Sequence, residues 1–279
     1  MPMLKDIAVF FDSSDFGMQV LRSAARLAAT HEAKLVGLTT LEHALGFPED
    51  CFARGDAISA VIRNQEKTRI ETTKTLQDSL NIVAAEFGLI TELRLIPEFE
   101  TDTEILARCL YCDLVVVGHP RLPGALHGVA LSQVLYGIGV PLLILPASWT
   151  GQVIGRRITV TWNASRQSRR AIADALPILS VAEKVQLLIV DSGNSSKQYG
   201  GDSGEALSAF LVRHGVTVEL RKVSARGSVA ATILADAREN NTDLIVFGAY
   251  SRPRITEAIL DGVSRTLLAD VPLPLLTTH

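Results

Sequence analysis

Cys109-Leu110-Tyr111-Cys112 has the C-x-x-C spacing that can hold a metal or cycle between dithiol and disulfide. Zinc needs four ligands, and no second pair at matching spacing accompanies this one. A redox C-x-x-C opens a helix, whereas this one closes a helical pattern just before an apolar strand. The pair therefore reads as two small buried side chains. The histidines His31, His43, His119, His127, His214 and His279 form no H-E-x-x-H or similar spacing. His119 and His127 share one loop and could face a ligand, although such residues are more often solvated. No G-x-S-x-G elbow, P-loop ending in G-K-[ST] or paired-carboxylate motif occurs, so no catalytic group and no metal is assigned. What remains are polar sets at strand ends. Asp12-Ser13-Ser14 and Asn163-Ala164-Ser165 each close an apolar run, and Gly118 and Gly248 each close another. In a parallel α/β sheet, ligands sit at carboxyl strand ends, where glycines and the backbone N–H groups of helix starts can receive a phosphate.

The elements that must position these residues come in two copies. The run at Ile7 recurs 151 residues later at Ile158, and Lys34-Leu35-Val36 recurs 150 residues later at Lys184. Glu92-Leu93-Arg94 returns 127 residues on as Glu219-Leu220-Arg221, and Asp113-Leu114-Val115 returns 130 residues on as Asp243-Leu244-Ile245. Val140-Pro141-Leu142-Leu143 returns 133 residues on as Leu273-Pro274-Leu275-Leu276. Five apolar runs in the same order mean one fold, duplicated head to tail. Helical patterns separate the runs, at 15–30 and 102–112 in the first copy and at 166–180 and 228–240 in the second, with Pro177 expected to kink or shorten its helix. The fall in offset between the second and third runs marks a longer helical segment, 56–87, in the first copy. Its second-copy counterpart is only 205–214, preceded by a polar loop at 192–204. Alternating strands and helices predict two tandem five-stranded parallel-sheet sandwiches of Rossmann-like α/β type. The expected domains span 1–147 and 156–279.

Composition agrees with a globular chain. Of 279 residues, 47% are hydrophobic and 5% aromatic, and the net charge is −3. Aliphatic dominance suits strands covered on both faces. The absence of a basic surplus argues against a nucleic-acid partner, and no apolar stretch approaches the ~18 residues of a membrane span. The N-terminal run lacks the shape of a signal peptide, and the three cysteines suggest no disulfide framework, so a cytoplasmic location is expected.

These features together resemble the universal stress protein family in its tandem two-domain form. The resemblance is carried by Asp12-Ser13-Ser14 and Trp162-Asn163-Ala164-Ser165, by Phe247-Gly248-Ala249-Tyr250-Ser251, and by Gly262-Val263-Ser264-Arg265-Thr266-Leu267-Leu268. It covers nearly the whole chain and is closer in the second copy. It implies that the two copies pair through their last strands as an intramolecular pseudo-dimer. It also implies a regulatory, stress-response role through a protein partner not identifiable from sequence, and homodimerisation is open. Many members bind ATP or AMP; others bind no nucleotide.

The family pattern is Gly, two residues, Gly, nine residues, Gly, then Ser or Thr. The second copy keeps its spacing with altered residues. Gly248 stands first, Ser251 second and Asp261 third, followed by Gly262, Val263 and Ser264, while Asn163 replaces the usual acidic residue. Ser251 and Ser264 can donate hydrogen bonds, and Arg252 can meet phosphate oxygens, whereas the Asp261 carboxylate opposes them. The resemblance thus implies a nucleotide site at Asn163, Ala164, Ser165, Gly248, Ser251, Arg252, Gly262, Val263 and Ser264. The first copy keeps Asp12, but its loop is shortened between Gly118 and Gly128 and carries Pro120 and Pro123, so no phosphate cradle is expected there. The alternatives are a nucleotide-free interaction scaffold and a weak ATPase, for which no general base is evident.

Overall fold

The run Asp6–Phe10 forms strand β1, with Ile7 and Val9 in one apolar core and Ala8 and Phe10 in another. This period-two alternation between two cores is what a strand needs when helices cover both faces, and it explains the unbroken apolar sequence. The computed structural model describes residues 3–40, 56–96, 102–119, 134–135, 137–150, 153–191, 203–249, 263–270 and 273–278. In the first half, β1 is followed by α1 (Asp15–His31), β2 (Lys34–Thr40), α2 (Asp56–Phe87), β3 (Thr91–Ile96), α3 (Asp102–Ala107), β4 (Leu114–Gly118) and β5 (Leu142–Leu145). The second half runs β6 (Arg157–Thr161), α4 (Arg166–Leu179), β7 (Lys184–Asp191), α5 (Ser203–Arg213), β8 (Val218–Ser224), α6 (Val229–Glu239), β9 (Leu244–Gly248), α7 (Val263–Asp270) and β10 (Leu275–Thr278). Helices α1, α2, α4 and α5 contribute to one core, and α3, α6 and α7 to the other.

The ten strands form one sheet in the order β3-β2-β1-β4-β5-β10-β9-β6-β7-β8. Within each half all pairings are parallel, and only β5 and β10 meet antiparallel. Leu143 lies opposite Leu276, its own duplicate, while Leu142 faces Thr277 and Ile144 faces Leu275. Leu142 meets the copy of Ile144 and Ile144 meets the copy of Leu142, which is the signature of an isologous contact with a local two-fold axis. The chain is therefore a pseudo-dimer built within one polypeptide. The carboxyl strand ends of the two halves point in opposite directions.

Helix α2 occupies the span expected from sequence, but Ile70, expected on its apolar face, is 59% exposed. Only Leu76, Leu80 and Val83 of its described side chains are buried. A helix of 32 residues is about 48 Å long, more than twice the length of the strand beside it, so its first turns outrun the sheet. Helix α4 continues through Pro177 and ends at Leu179. That is three residues before the position equivalent to the end of α1, with the Ser180 hydroxyl donating to the Pro177 carbonyl at 2.9 Å. Helix α3 is shorter than the expected 102–112 and stops at Ala107. Tight turns follow, with Cys109 N–H donating to Leu106 O and Cys112 N–H to Cys109 O. They deliver Asp113 to the foot of β1, where its carboxylate accepts from the N–H groups of Lys5 (2.6 Å) and Asp6 (3.0 Å).

Candidate functional site

In the second half the strand order β10-β9-β6-β7-β8 reverses direction between β6 and β9. The crevice outside the carboxyl ends of two such strands is where open α/β sheets receive ligands. Asn163, Ala164 and Ser165 follow β6, and Gly248 ends β9, so these four residues border that crevice. Val263 and Ser264 begin α7 and are half-buried. Ser251, Arg252, Asp261 and Gly262, with the first-half loop residues Pro120, Pro123, His127 and Gly128, lie outside the described residues.

Local hydrogen bonds explain much of this constellation. Ser165 is the N-cap of α4, and its hydroxyl accepts from Ser168 N–H at 3.1 Å. The Asn163 side-chain oxygen accepts from Ser165 N–H at 3.2 Å and from the Ser165 hydroxyl at 2.7 Å. The first half is built the same way. Ser14 caps α1 by accepting from Gly17 N–H at 3.0 Å, and Asp12 accepts from Ser14 N–H at 3.0 Å. The Asp-to-Asn difference between the copies keeps the acceptor that the turn needs, because an amide oxygen serves as well as a carboxylate oxygen there. Between Asn163 and Ser165, Ala164 is held at φ +56°, in the left-handed region that costs a non-glycine residue about 1–2 kcal/mol.

Gly248 is required by packing. A Cβ there would lie 2.2 Å from Ser168 N and 2.3 Å from Gln167 C, both backbone atoms in the first turn of α4. Its first-half counterpart, Gly118, would meet only side chains, chiefly the Phe16 ring at 2.5 Å. In the first half the tight backbone contact belongs to Gly17, whose Cβ would meet Asp12 backbone atoms at 2.7 and 2.8 Å. Gly17 and Ser168 are equivalent in the repeat, but their contacts differ: Gly17 packs on the turn after β1, whereas Ser168 packs on the end of β9.

His119, expected in solvent, is instead 4% exposed, because it directly continues the buried strand β4. Cys109 is fully buried and Cys112 nearly so. Burial pushes the Cys109 thiol up to about 12, with a smaller contribution from Cys112, so the thiol is protonated and unreactive. Among the described residues no group of three or more His, Cys, Asp or Glu is placed to hold a metal, and no helix is long and apolar enough to cross a membrane.

Residues 156–279 match the profile of the Universal stress protein family. The second half of the chain belongs to the universal stress protein family. The first half repeats its fold. A universal stress protein from Archaeoglobus fulgidus DSM 4304 superposes along the whole tandem, with TM-score 0.67 and 16% identity over 98% of this chain and 96% of that chain. A universal stress protein from Pseudomonas aeruginosa UCBPP-PA14 does so with TM-score 0.60 and 16% identity, covering 99% of this chain and 93% of that chain. A shorter universal stress protein from Archaeoglobus fulgidus, in complex with dAMP, aligns over 52% of this chain and 98% of its own at 18% identity and TM-score 0.34. Among curated proteins, no sequence matches the chain.

Two sets of residues escaped the sequence reading. Asp243 accepts from the N–H groups of Gly155 (2.8 Å), Arg156 (3.1 Å) and Arg157 (3.0 Å), as Asp113 does at the foot of β1. Burial raises its pKa above the usual carboxylate value, and the three backbone donors oppose that shift. Its recurrence at equivalent positions in both copies was the available signal. The second set is an arginine cleft at the opposite end of β6. Its residues come from separate segments, and no local motif announces it.

Proposed function

We propose that this universal stress protein is a regulator that binds ATP or AMP in the crevice of its second half. The reading rests on one observation above all: Asn163–Ser165 and Gly248 meet at the carboxyl ends of adjacent strands where the strand order reverses. In this proposal the phosphates lie against the start of α7 at Val263 and Ser264. Gly262 lets the backbone approach, and Ser251 and Arg252 supply donors and charge. Asn163, Ala164 and Ser165 border the nucleoside. Bound nucleotide changes the surface offered to a protein partner. The test is replacement of Ser264 and of Arg252 by Ala. Each variant is expected to weaken ATP affinity about tenfold by losing a hydrogen bond to a charged group. Unchanged affinity in both refutes the site.

A nucleotide-free interaction scaffold is the second reading, and specific contacts favour it. The Asn163 side-chain oxygen and the Ser165 hydroxyl are engaged at the cap of α4, and Gly248 is accounted for by packing against that helix. Under that reading the crevice residues serve the fold alone, and nucleotide leaves stability unchanged.

A further inference from the structure

A cleft of about 720 Å³ opens between α1 of the first half and the foot of the second half. Arg26 reaches it from α1, Arg156 and Arg157 from the entry to β6, Glu183 from the turn before β7, and Asn241 and Asp243 from the turn before β9. Three guanidinium groups thus face two carboxylates, and both carboxylates are already engaged. Asp243 accepts three backbone N–H groups, and Glu183 takes the Arg156 guanidinium at 2.6 Å. Arg157 makes no side-chain ion pair with any described residue. Arg26 is half-buried and lines the cleft, with its guanidinium over the Phe87 ring at 5.8 Å.

The duplication supplies an internal control. The positions equivalent to Arg26, Arg156 and Arg157 are Pro177, Lys5 and Asp6, and those equivalent to Glu183, Asn241 and Asp243 are Ala33, Tyr111 and Asp113. The same scaffold in the other half therefore carries one ammonium against two carboxylates and needs no arginine. Only the aspartate that pins the strand is kept. The three arginines are not a requirement of the fold. They gather where the linker between the halves runs past the cleft, with Val153 in its wall and Trp149 bonded to the Ser23 hydroxyl of α1 at 2.8 Å.

We propose that this cleft is an anion site for a phosphate-bearing small molecule, held between Arg26 of the first half and Arg157 of the second. Planar guanidinium forks match phosphate oxygens, and the volume falls in the range of small-ligand pockets. The cleft lies at the amino end of β6, roughly 16 Å along the strand from the crevice at its carboxyl end, so it is independent of the nucleotide reading. Bound anion bridges the two halves and steadies their relative placement.

The test uses pyrophosphate, which has no base to engage the crevice, titrated calorimetrically into the intact protein. Saturable binding is expected, with affinity about tenfold lower in Arg157→Ala and in Arg26→Ala and unchanged in Ser264→Ala. Arg157 is exposed at a strand start, so its replacement leaves the fold intact. Absence of saturable binding at millimolar pyrophosphate overturns the proposal, as does binding that survives both arginine replacements or is lost in Ser264→Ala.

Discussion

Replacing Gly248 with Ala tests whether the end of β9 is shaped by packing or by a ligand. The added methyl carbon would lie 2.2 Å from Ser168 N, 2.3 Å from Gln167 C and 2.7 Å from Gln167 O. All three are backbone atoms, so no rotamer change relieves the clash. The first turn of α4 must retreat by about 1 Å to restore ordinary contact. Overpacking of this kind costs about 1–3 kcal/mol. The retreat also pulls Ser168 N–H from the Ser165 hydroxyl, and a lost N-cap costs about 1 kcal/mol more. Together these give a loss of about 2–4 kcal/mol, or a fall in Tm of roughly 5–15 °C. Gly118→Ala is the matched control, since its methyl meets the edge of the Phe16 ring, which can swing away. Its cost is expected below about 1 kcal/mol. Urea denaturation of both variants, without nucleotide, reads the difference directly. Equal losses, or a Gly248→Ala loss within about 0.5 kcal/mol of zero, refute the packing account. If the account holds, a Gly248 variant is unsuitable for mapping a nucleotide site, because it disturbs α4 whether or not a ligand binds.

Ser14→Ala and Ser165→Ala should each destabilise by about 1 kcal/mol, because the same cap recurs at both helix starts; thermal denaturation checks this, and a neutral effect at either position contradicts it. Burial holds the His31 imidazole below its ordinary value of 6.5, and its Nε2 has no hydrogen-bond partner among the described residues. A depressed pKa means that stability is present above pH 6.5 and is lost as pH falls through the folded value, so His31→Leu should flatten the urea midpoint over that window. Glu92 is held at about 2 by Arg94 and Lys34, so its contribution is present above pH 4.5 and lost toward pH 2. The cluster is partly exposed to water, so Glu92→Gln should cost less than about 1 kcal/mol at neutral pH, as read by chemical denaturation. In a Cys51→Ser background, Cys109 and Cys112 should resist a thiol reagent until the protein unfolds, and rapid native-state labelling would contradict their burial.

Much of the fold was legible because the duplication wrote it twice. The five matched runs became the ten strands, and helix α2 occupies the span that the offsets isolated. The Leu143–Leu276 pairing followed from a resemblance, and the register then gave it a physical form. The errors lie where tertiary contacts override local pattern. Ile70 has helical spacing, yet it sits on a stretch of α2 that has passed the sheet. Helix α3 ends early because Asp113 must reach the β1 backbone. His119 reads as a loop residue but is carried inward by the strand before it. The candidate site was legible in its placement and less so in its roles. Sequence marks Asn163, Ser165 and Gly248, but only geometry shows that capping and a backbone contact already use them. The arginine cleft was invisible in sequence because Arg26 and Arg157 stand far apart along the chain.

The central claim is a duplicated scaffold with a single nucleotide site, in its second half. Calorimetric titration of the intact chain with ATP and AMP tests it most directly. The account predicts saturation at one nucleotide per chain, with about 2.7 kcal/mol of added stability at one hundred times Kd. Two nucleotides per chain, or no heat and no change in stability at millimolar nucleotide, would contradict it.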